Sequence, residues 1–539
     1  LIIHSLPPNL IYSLFLDMYG QNAYLFFKLF VIKLIKGIGE IMEKYVLAID
    51  QGTTSTRAII FNRKSDLIAT SQMEFTQIHP HNGWVEHDGE EILETVWGVV
   101  KNVINKSGLS LRDISAIGIT NQRETTIMWD KETGKPVYNA IVWQSRQSQA
   151  ICDDLIKQGY QKLFQEKTGL LINPYFSLSK IKWILDNVKG ARELANKNRL
   201  LFGTIDTYLA WHLSKGKLHI TDASNASRTM LYNIKENKWD EEILEIVGIP
   251  KSILPEVRNT SEVYGYVKFE EIDKDYEIPL ASIVGDQQAS LFGQCCFTEG
   301  EIKNTYGTGC FMLMNTQDKL VYSNTGLLST IAWQINGKVE YALEGSVFVS
   351  GSAVQWLRDG LRFFRKSSDC ENYLSRDNNS NGVYFVPAFV GLGTPYWDND
   401  ARGAIFGLTR ATSKENIIAA TIEAIAYQSK DVMEVMQQEA KVKIKHLAVD
   451  GGASINDYLM QFQANILNTK IIRPKCLETT ALGAAYLAGL AVGVWKDKEE
   501  IKKMRSIEKI FTNKINDEVR YNLYRGWKIA VEATRHFKL

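Results

Sequence analysis

Three apolar strands in this chain each run straight into a glycine turn, and no other feature limits its fold as tightly. Tyr45 to Ile49 ends at Asp50-Gln51-Gly52-Thr53-Thr54-Ser55-Thr56-Arg57, and Ala58 to Phe61 returns. Ile302 to Tyr306 turns at Gly307-Thr308-Gly309 into Cys310 to Met314. His446 to Val449 enters Asp450-Gly451-Gly452-Ala453-Ser454 and opens a helix through Asn456 to Ile466. Glycine lets a backbone approach a ligand closely. A Gly/Thr turn gathers N–H groups and hydroxyls into a concavity that suits a phosphate, and a helix N-terminus favours an anion. Asp50, at the edge of the first turn, has the chemistry to hold a hydrated Mg²⁺ there. One such turn is weak evidence. Three together read as a nucleotide site.

Two of the turns are strand–turn–strand units in opposite halves, which suggests a duplicated architecture around a cleft, although the residues barely match. At 539 residues the chain exceeds one compact core. From Met42 strands and helices alternate, the mark of an α/β protein. The expected division is 1–41 outside the core, 42–293 as one domain and 294–539 as the second. Asp88-Gly89-Glu90-Glu91 reads as a helix start, with Asp88 capping and Glu91 reaching back, and Thr412-x-x-Glu415 as another such box. An amphipathic run with Ile417, Ile418, Ala424, Ile425, Val432 and Met436 follows it. Ile114 to Thr120 is a strand entering the turn Asn121-Gln122-Arg123-Glu124, and Thr125 to Trp129 is the next strand. Asp369 to Asn381 reads as a polar surface loop.

Several function classes drop out. With 62 basic and 61 acidic residues the net charge is +1, so no field for nucleic acid is expected. The six cysteines form no C-x-x-C pair or metal spacing and point to a reduced, cytoplasmic setting. There is no G-x-x-x-x-G-K-[ST] loop and no protein-kinase signature. Leu25 to Ile35 is apolar but broken by Lys28 and Lys33, short of a membrane span. Residues 1–41 are expected to be a leader foreign to the fold. The alternative is a basic amphipathic surface helix, and no firm membrane partner is expected.

Two features could serve a phosphoryl acceptor. Asp286 follows a short apolar strand and Gly285, where a strand-end carboxylate suits a base for a hydroxyl. Without the phosphate turns it would read as a cap. Arg123-Glu124 sets a donor beside an acceptor, as a polyhydroxyl substrate requires; alone it would read as a surface ion pair. His79, His81, His87 and Asp88 look metal-like in composition, but turn and cap roles fit better. Trp84, Trp143, Tyr175 and Phe311 read as core on general grounds, and Cys295-Cys296 as buried thiols.

The chain then shows a series of segments in one order: Ala48–Arg57, Gly83–Asp88, Gly118–Thr126, Asn139–Gln144, Asn225–Met230, Gly285–Gln288, Asn304–Gly309, Gly391–Asp398 and Thr480–Gly489. In these it resembles the FGGY carbohydrate kinases, above all the branch that acts on glycerol, from about Met42 to the C-terminus. The resemblance implies two actin-like, ribonuclease-H-like ATPase domains closing over a cleft. It implies ATP- and Mg²⁺-dependent phosphorylation of glycerol to sn-glycerol 3-phosphate, as in glycerol catabolism, by a homodimer or homotetramer. It places Arg123, Glu124, Tyr175, Asp286 and Gln287 on the glycerol hydroxyls, with Asp286 the base. Trp143 and Phe311 pack on the carbon chain, which overrides the core reading of these aromatics and of Tyr175. Thr53, Thr54, Ser55 and Arg57, with Gly307 and Thr308, approach the nucleotide phosphates. Gln355, Gly452, Ala453 and Asn456 lie near the nucleotide, and Asp50 near the metal. Leu178 stands where the family has glycine, so the loop after Tyr175 is expected to differ. Tyr266 to Ile278 lacks the basic glycine-rich loop and the phosphorylated histidine of some members, so neither regulation is expected. A kinase for another polyol or sugar, such as xylulose or gluconate, is the nearest rival. A non-catalytic ATP-gated module on the same fold is the other.

Overall fold

The computed structural model describes residues 44–374, 379–398 and 400–537. The expected leader therefore lies outside the described residues. Thirteen strands form one sheet. They are β1 Tyr45–Gln51, β2 Ser55–Asn62, β3 Leu67–Glu74, β4 Ile114–Asn121, β5 Ser261–Val267, β6 Ile278–Gly285 and β7 Glu301–Tyr306. Then follow β8 Cys310–Gln317, β9 Leu328–Ile335, β10 Lys338–Val347, β11 His446–Asp450, β12 Ile471–Pro474 and β13 Ile507–Phe511. The order across the sheet is β13-β12-β11-β7-β8-β10-β9-β5-β6-β4-β1-β2-β3.

The duplication is explicit in that order. In the first half β3-β2-β1 is an antiparallel meander, β4 runs parallel to β1, and β6 runs parallel to β4. In the second half β10-β8-β7 repeats the antiparallel pairing, although β9 lies between β8 and β10 in sequence and pairs on the far side of β10; β11 runs parallel to β7, and β12 runs parallel to β11. Parallel strands collect their C-terminal ends on one edge, where loops can meet a ligand. Gln51 pairs with Asn121, and Asn121 with Gly285, so the loops after β1, β4 and β6 emerge side by side. Thr305 pairs with Asp450, which does the same for the two glycine turns of the second half.

The strands form where apolar residues fill both faces. In β1, Leu47 and Ile49 join one buried cluster, and Val46 and Ala48 the cluster on the other face. Helix α1, Gly89–Ser107, covers β2 and β3. Helix α2 is Ser177–Asn187 and α3 is Asp286–Gly293. Helix α4 is Gly351–Asp359, and α5, Lys414–Ala440, covers β8 and β10. Helix α6, Asp457–Leu467, follows the third glycine turn. Helix α7, Thr479–Ala491, is apolar nearly all round and buried against β1, β4, β6 and α3.

Local expectations need three corrections. Asp88 caps α1 through the amide of Glu90 at 2.8 Å, but Glu91 bonds the Thr76 amide and hydroxyl instead of reaching back. The box before α5 is Ser413 with Asn416, because Thr412 is engaged by the Thr409 amide at 2.8 Å. Part of the expected loop after Asp369 is a short helix, Cys370–Leu374.

Candidate active site

The turn after β4 is fastened before it carries any charge. Asn121 and Asn225 exchange side-chain amide bonds of 3.1 Å in both directions. The Gln122 amide donates to the Gln51 carbonyl at 2.7 Å, and its side chain reaches Gln51 Oε1 and the Gly52 carbonyl. Glu124 then takes a left-handed φ of 59°, a strained state for a glutamate that its surroundings must enforce. Its carbonyl accepts bonds from Ser177 Oγ at 3.0 Å and Thr126 Oγ1 at 3.1 Å.

Arg123 and Glu124 are not a surface pair: they are 2% and 1% exposed. They contact each other only at 3.8 Å. Arg123 instead grips Glu344 of β10 through Nη1 at 2.5 Å and Nη2 at 3.2 Å. Its Nη1 also donates to Gln288 at 3.1 Å, and its Nε faces Asp286 Oδ1 at 3.2 Å. The stem of Arg123 crosses so close to Gly285 that a Cβ there would lie 2.8 Å from it, which explains the glycine before Asp286. Arg228 completes the cluster, donating from Nε to Glu124 at 2.7 Å and from Nη2 to Glu344 at 2.8 Å. Burial raises the Glu344 carboxyl, but the two guanidiniums outweigh it and hold the group at about 2. Burial also raises Glu124 and Asp286, against the pull of Arg123 in both cases.

Asp286 opens α3, its Oδ1 taking the Gln287 amide at 2.7 Å, and 29% of its side chain stays open to the cleft. Three aromatic rings stand in one group. Trp143 meets Tyr175 edge-on at 5.5 Å and Phe311 edge-on at 6.4 Å. Trp143 Nε1 is fixed by Thr53 Oγ1 at 2.9 Å, which ties this group to the first glycine turn. Tyr175 Oη lies deep in the site, where burial and Glu124 push its pKa far up, so it stays a neutral donor. Leu178, the departure after Tyr175, is buried inside α2 and donates its amide to the Thr229 carbonyl at 2.9 Å.

The first turn differs in detail from a simple cradle. The Gly52 amide closes the turn on the Ser55 carbonyl at 3.0 Å, so it is not free for a ligand. Ser55 Oγ accepts from Gln72 at 3.1 Å, while Thr54 is exposed. Arg57 pairs with Glu478 at 3.0 Å. The carboxylate of Asp50, at the end of β1, accepts no hydrogen bond among the described residues, and burial raises it to about 7. A carboxylate so placed, half-buried at the first turn, fits a divalent cation.

In the second half the turns converge. The Gly307 carbonyl accepts the Gly351 amide at 3.0 Å and the Thr308 carbonyl the Ser350 amide at 2.9 Å, so the second turn sits on the start of α4, one turn before the exposed Gln355. Gly451, with φ of 83°, lies against Tyr306, whose carbonyl would meet a Cβ at 2.4 Å. Gly452 has open space where a Cβ would be, with Ala453 beside it. Asn456 caps α6 through the Leu459 amide at 2.9 Å.

Sequence reasoning missed Glu344, Arg228, Gln288 and Lys303. The signal for Glu344 was a lone carboxylate in the apolar run Tyr341 to Val347. For Arg228 it was a lone cation among small and apolar residues, Ala223 to Leu231. Of the histidines, for which turn and cap roles were expected, His79 faces the Trp84 carbonyl at 3.3 Å across its loop. His87 is instead buried between Gln77 and Gln122.

The N-terminal domain of the FGGY family of carbohydrate kinases matches residues 45–293, and its C-terminal domain matches residues 302–492. Glycerol kinase of Bacillus subtilis (strain 168) is 58% identical over 500 residues, covering 92% of this chain and 100% of that protein. The crystal structure of Plasmodium falciparum glycerol kinase with ADP superposes with a TM-score of 0.86 at 37% identity, over 91% of this chain and 98% of that one. Gluconate kinase from Lactobacillus acidophilus shares the fold, with a TM-score of 0.80 at 24% identity over 92% and 98% of the two chains. The chain belongs to the FGGY family of carbohydrate kinases.

Proposed function

We propose that this protein phosphorylates glycerol with ATP, giving sn-glycerol 3-phosphate. The observation that carries this reading is the buried Arg123–Glu124–Asp286 group beside the Trp143, Tyr175 and Phe311 rings. The similarity to glycerol kinases supports it. Arg123 and Glu124 offer fixed donors and an acceptor to two neighbouring hydroxyls, and the Tyr175 hydroxyl and Gln287 add further partners. Trp143 and Phe311 cover the short carbon chain. Asp286 orients the terminal hydroxyl and takes its proton as the γ-phosphoryl transfers in line, so catalysis is mainly positioning and charge stabilisation.

Thr53, Thr54, Ser55 and Arg57 line the phosphates from the first half, and Gly307 and Thr308 from the second. Gln355, Gly452, Ala453 and Asn456 hold the rest of the nucleotide. Asp50 would hold Mg²⁺, which when bound offsets phosphate charge. The domain boundary falls between 293 and 294. All six cysteines are free thiols, which supports a reduced, cytoplasmic setting. No described helix is long and apolar enough to cross a membrane. A panel of polyols and sugars with ATP tests the assignment. Glycerol should give the highest kcat/KM, and a pentulose or gluconate above it would overturn the choice.

A further inference from the structure

The site contains a buried cation that this reading does not use. Lys303 lies on β7 and is 0% exposed. Its ammonium donates to Gln287 Oε1 on one side and to Thr305 Oγ1 at 2.9 Å on the other. Beyond Thr305 the hydrogen bonds run in one direction. Ser290 Oγ gives its only proton to Asp450 Oδ2 at 2.9 Å, so the 3.2 Å contact between Ser290 and Thr305 is donated by Thr305. Thr479 Oγ1 reaches the same Asp450 oxygen at 2.7 Å. A continuous line therefore joins Gln287, at the acceptor end of α3, to the strand end that carries Gly451 and Gly452.

A buried ammonium with two neutral acceptors is costly for a fold. Burial drives Lys303 down to about 8, while Asp450 and Asp286, on either side, oppose that fall. An apolar side chain would pack here at lower cost, so the cation marks a need for position. We propose that Lys303 is a positioning residue that fixes Gln287 against the acceptor hydroxyls and sets the acceptor subsite relative to the nucleotide turn. This rests on the kinase reading above.

A double-mutant cycle with Gln287→Ala tests it, using whichever acceptor the wild-type enzyme phosphorylates fastest. Lys303→Met should raise the acceptor KM about tenfold and lower kcat, with the ATP KM within about twofold of wild type. Lys303→Arg should recover part of the loss. In the Gln287→Ala background Lys303→Met should change the acceptor KM by less than about threefold, because the partner is already gone. Thr305→Val keeps the shape, removes one acceptor of the ammonium and should act in the same direction, which keeps the test open if Lys303→Met does not fold. Equal losses in both backgrounds, or an ATP KM that rises as much as the acceptor KM, would overturn the proposal alone. A wild-type enzyme inactive on the whole panel would overturn the kinase reading and this proposal with it.

Discussion

Glu344 holds Arg123 by both ends of the guanidinium, at 2.5 and 3.2 Å, and so turns the Nε edge toward Asp286. The two residues come from opposite halves of the chain, β10 and the turn after β4. Glu344→Gln would leave Arg123 and Arg228 buried around a neutral amide. Breaking a buried pair in this way costs about 3–5 kcal/mol. A clear fall in Tm and a raised KM for glycerol are expected. A variant that melts with the wild type would show that the carboxylate charge carries no structural weight.

Asp286 must be ionised to take a proton, and burial holds its pKa above the ordinary aspartate value. Activity is therefore full above that raised pKa and is lost as pH falls through it. The acid limb of kcat/KM should sit above about 3.9, the value for a free aspartate. Asp286→Asn should lower kcat by roughly 10²–10⁴ while ATP binding, read by calorimetry, is kept. Near-normal turnover in that variant would remove Asp286 from the chemistry.

The glycine turns, the α/β alternation and the strand-end placement of Arg123, Glu124 and Asp286 were legible because each depends on short-range pattern, whereas Trp143, Tyr175 and Phe311 read as core from the residues alone. The turn Asn121 to Glu124 sits at a strand end, and Asp286 follows strand and glycine directly. Glu344 and Arg228 were not legible, since their partners stand 104 to 221 positions away. A single sequence carries no sign of which distant cation a strand carboxylate will meet. The duplication was visible only as two hairpins. The matching strand orders show why: the two halves share backbone topology, which leaves side chains free to diverge. In the first half the loops after β4 and β6 carry Arg123, Glu124 and Asp286. In the second half the loop after β11, the counterpart of β4, carries Gly451 and Gly452.

Phe311 comes from the second half and stands 6.4 Å from Trp143 of the first, and in the proposed site it would limit acceptor length. Phe311→Ala should raise the KM for glycerol and increase the relative rate on four- and five-carbon polyols. Pocket contacts of this size discriminate by about 1–3 kcal/mol. The ratio of kcat/KM values for glycerol and erythritol measures it. An unchanged ratio would separate Phe311 from specificity.

One buried histidine, His87, and two half-buried ones, His212 and His219, make the fold sensitive to acid. Burial lowers His87, His212 and His219 to about 4 each, below the ordinary 6.5. The unfolded chain takes up protons as pH falls through 6.5, while the folded chain resists until about 4. Their stability contribution is thus complete above 6.5 and is lost as pH falls toward 4. For the fully buried His87 the loss is roughly 3 kcal/mol. Asp206, raised to about 7 by burial, works in the opposite sense. The measurement is therefore the difference in Tm between wild type and His87→Gln from about pH 7 down to about 4.5, the window between the two histidine values. The variant should show the shallower decline, and parallel curves would exclude His87.

Two glycines separate structure from function. A Cβ on Gly483 would lie 1.8 Å from the Ala289 carbonyl, and one on Gly293 2.0 Å from the Thr479 carbonyl, so α3 and α7 cross backbone to backbone. Gly483→Ala must push these helices apart, and α3 carries Asp286 at its first position. Overpacking of this kind costs typically about 1–3 kcal/mol, and more where only backbone can yield. Both Tm and kcat should fall. Gly452 has nothing within 4 Å of the point where a Cβ would stand, yet it borders the proposed nucleotide site. Gly452→Ala should keep the wild-type Tm and raise the KM for ATP, because the methyl group would project into space that only the nucleotide needs. If Gly452→Ala instead lowered Tm and left the ATP KM unchanged, that turn would be a structural feature of the second half rather than part of the nucleotide site.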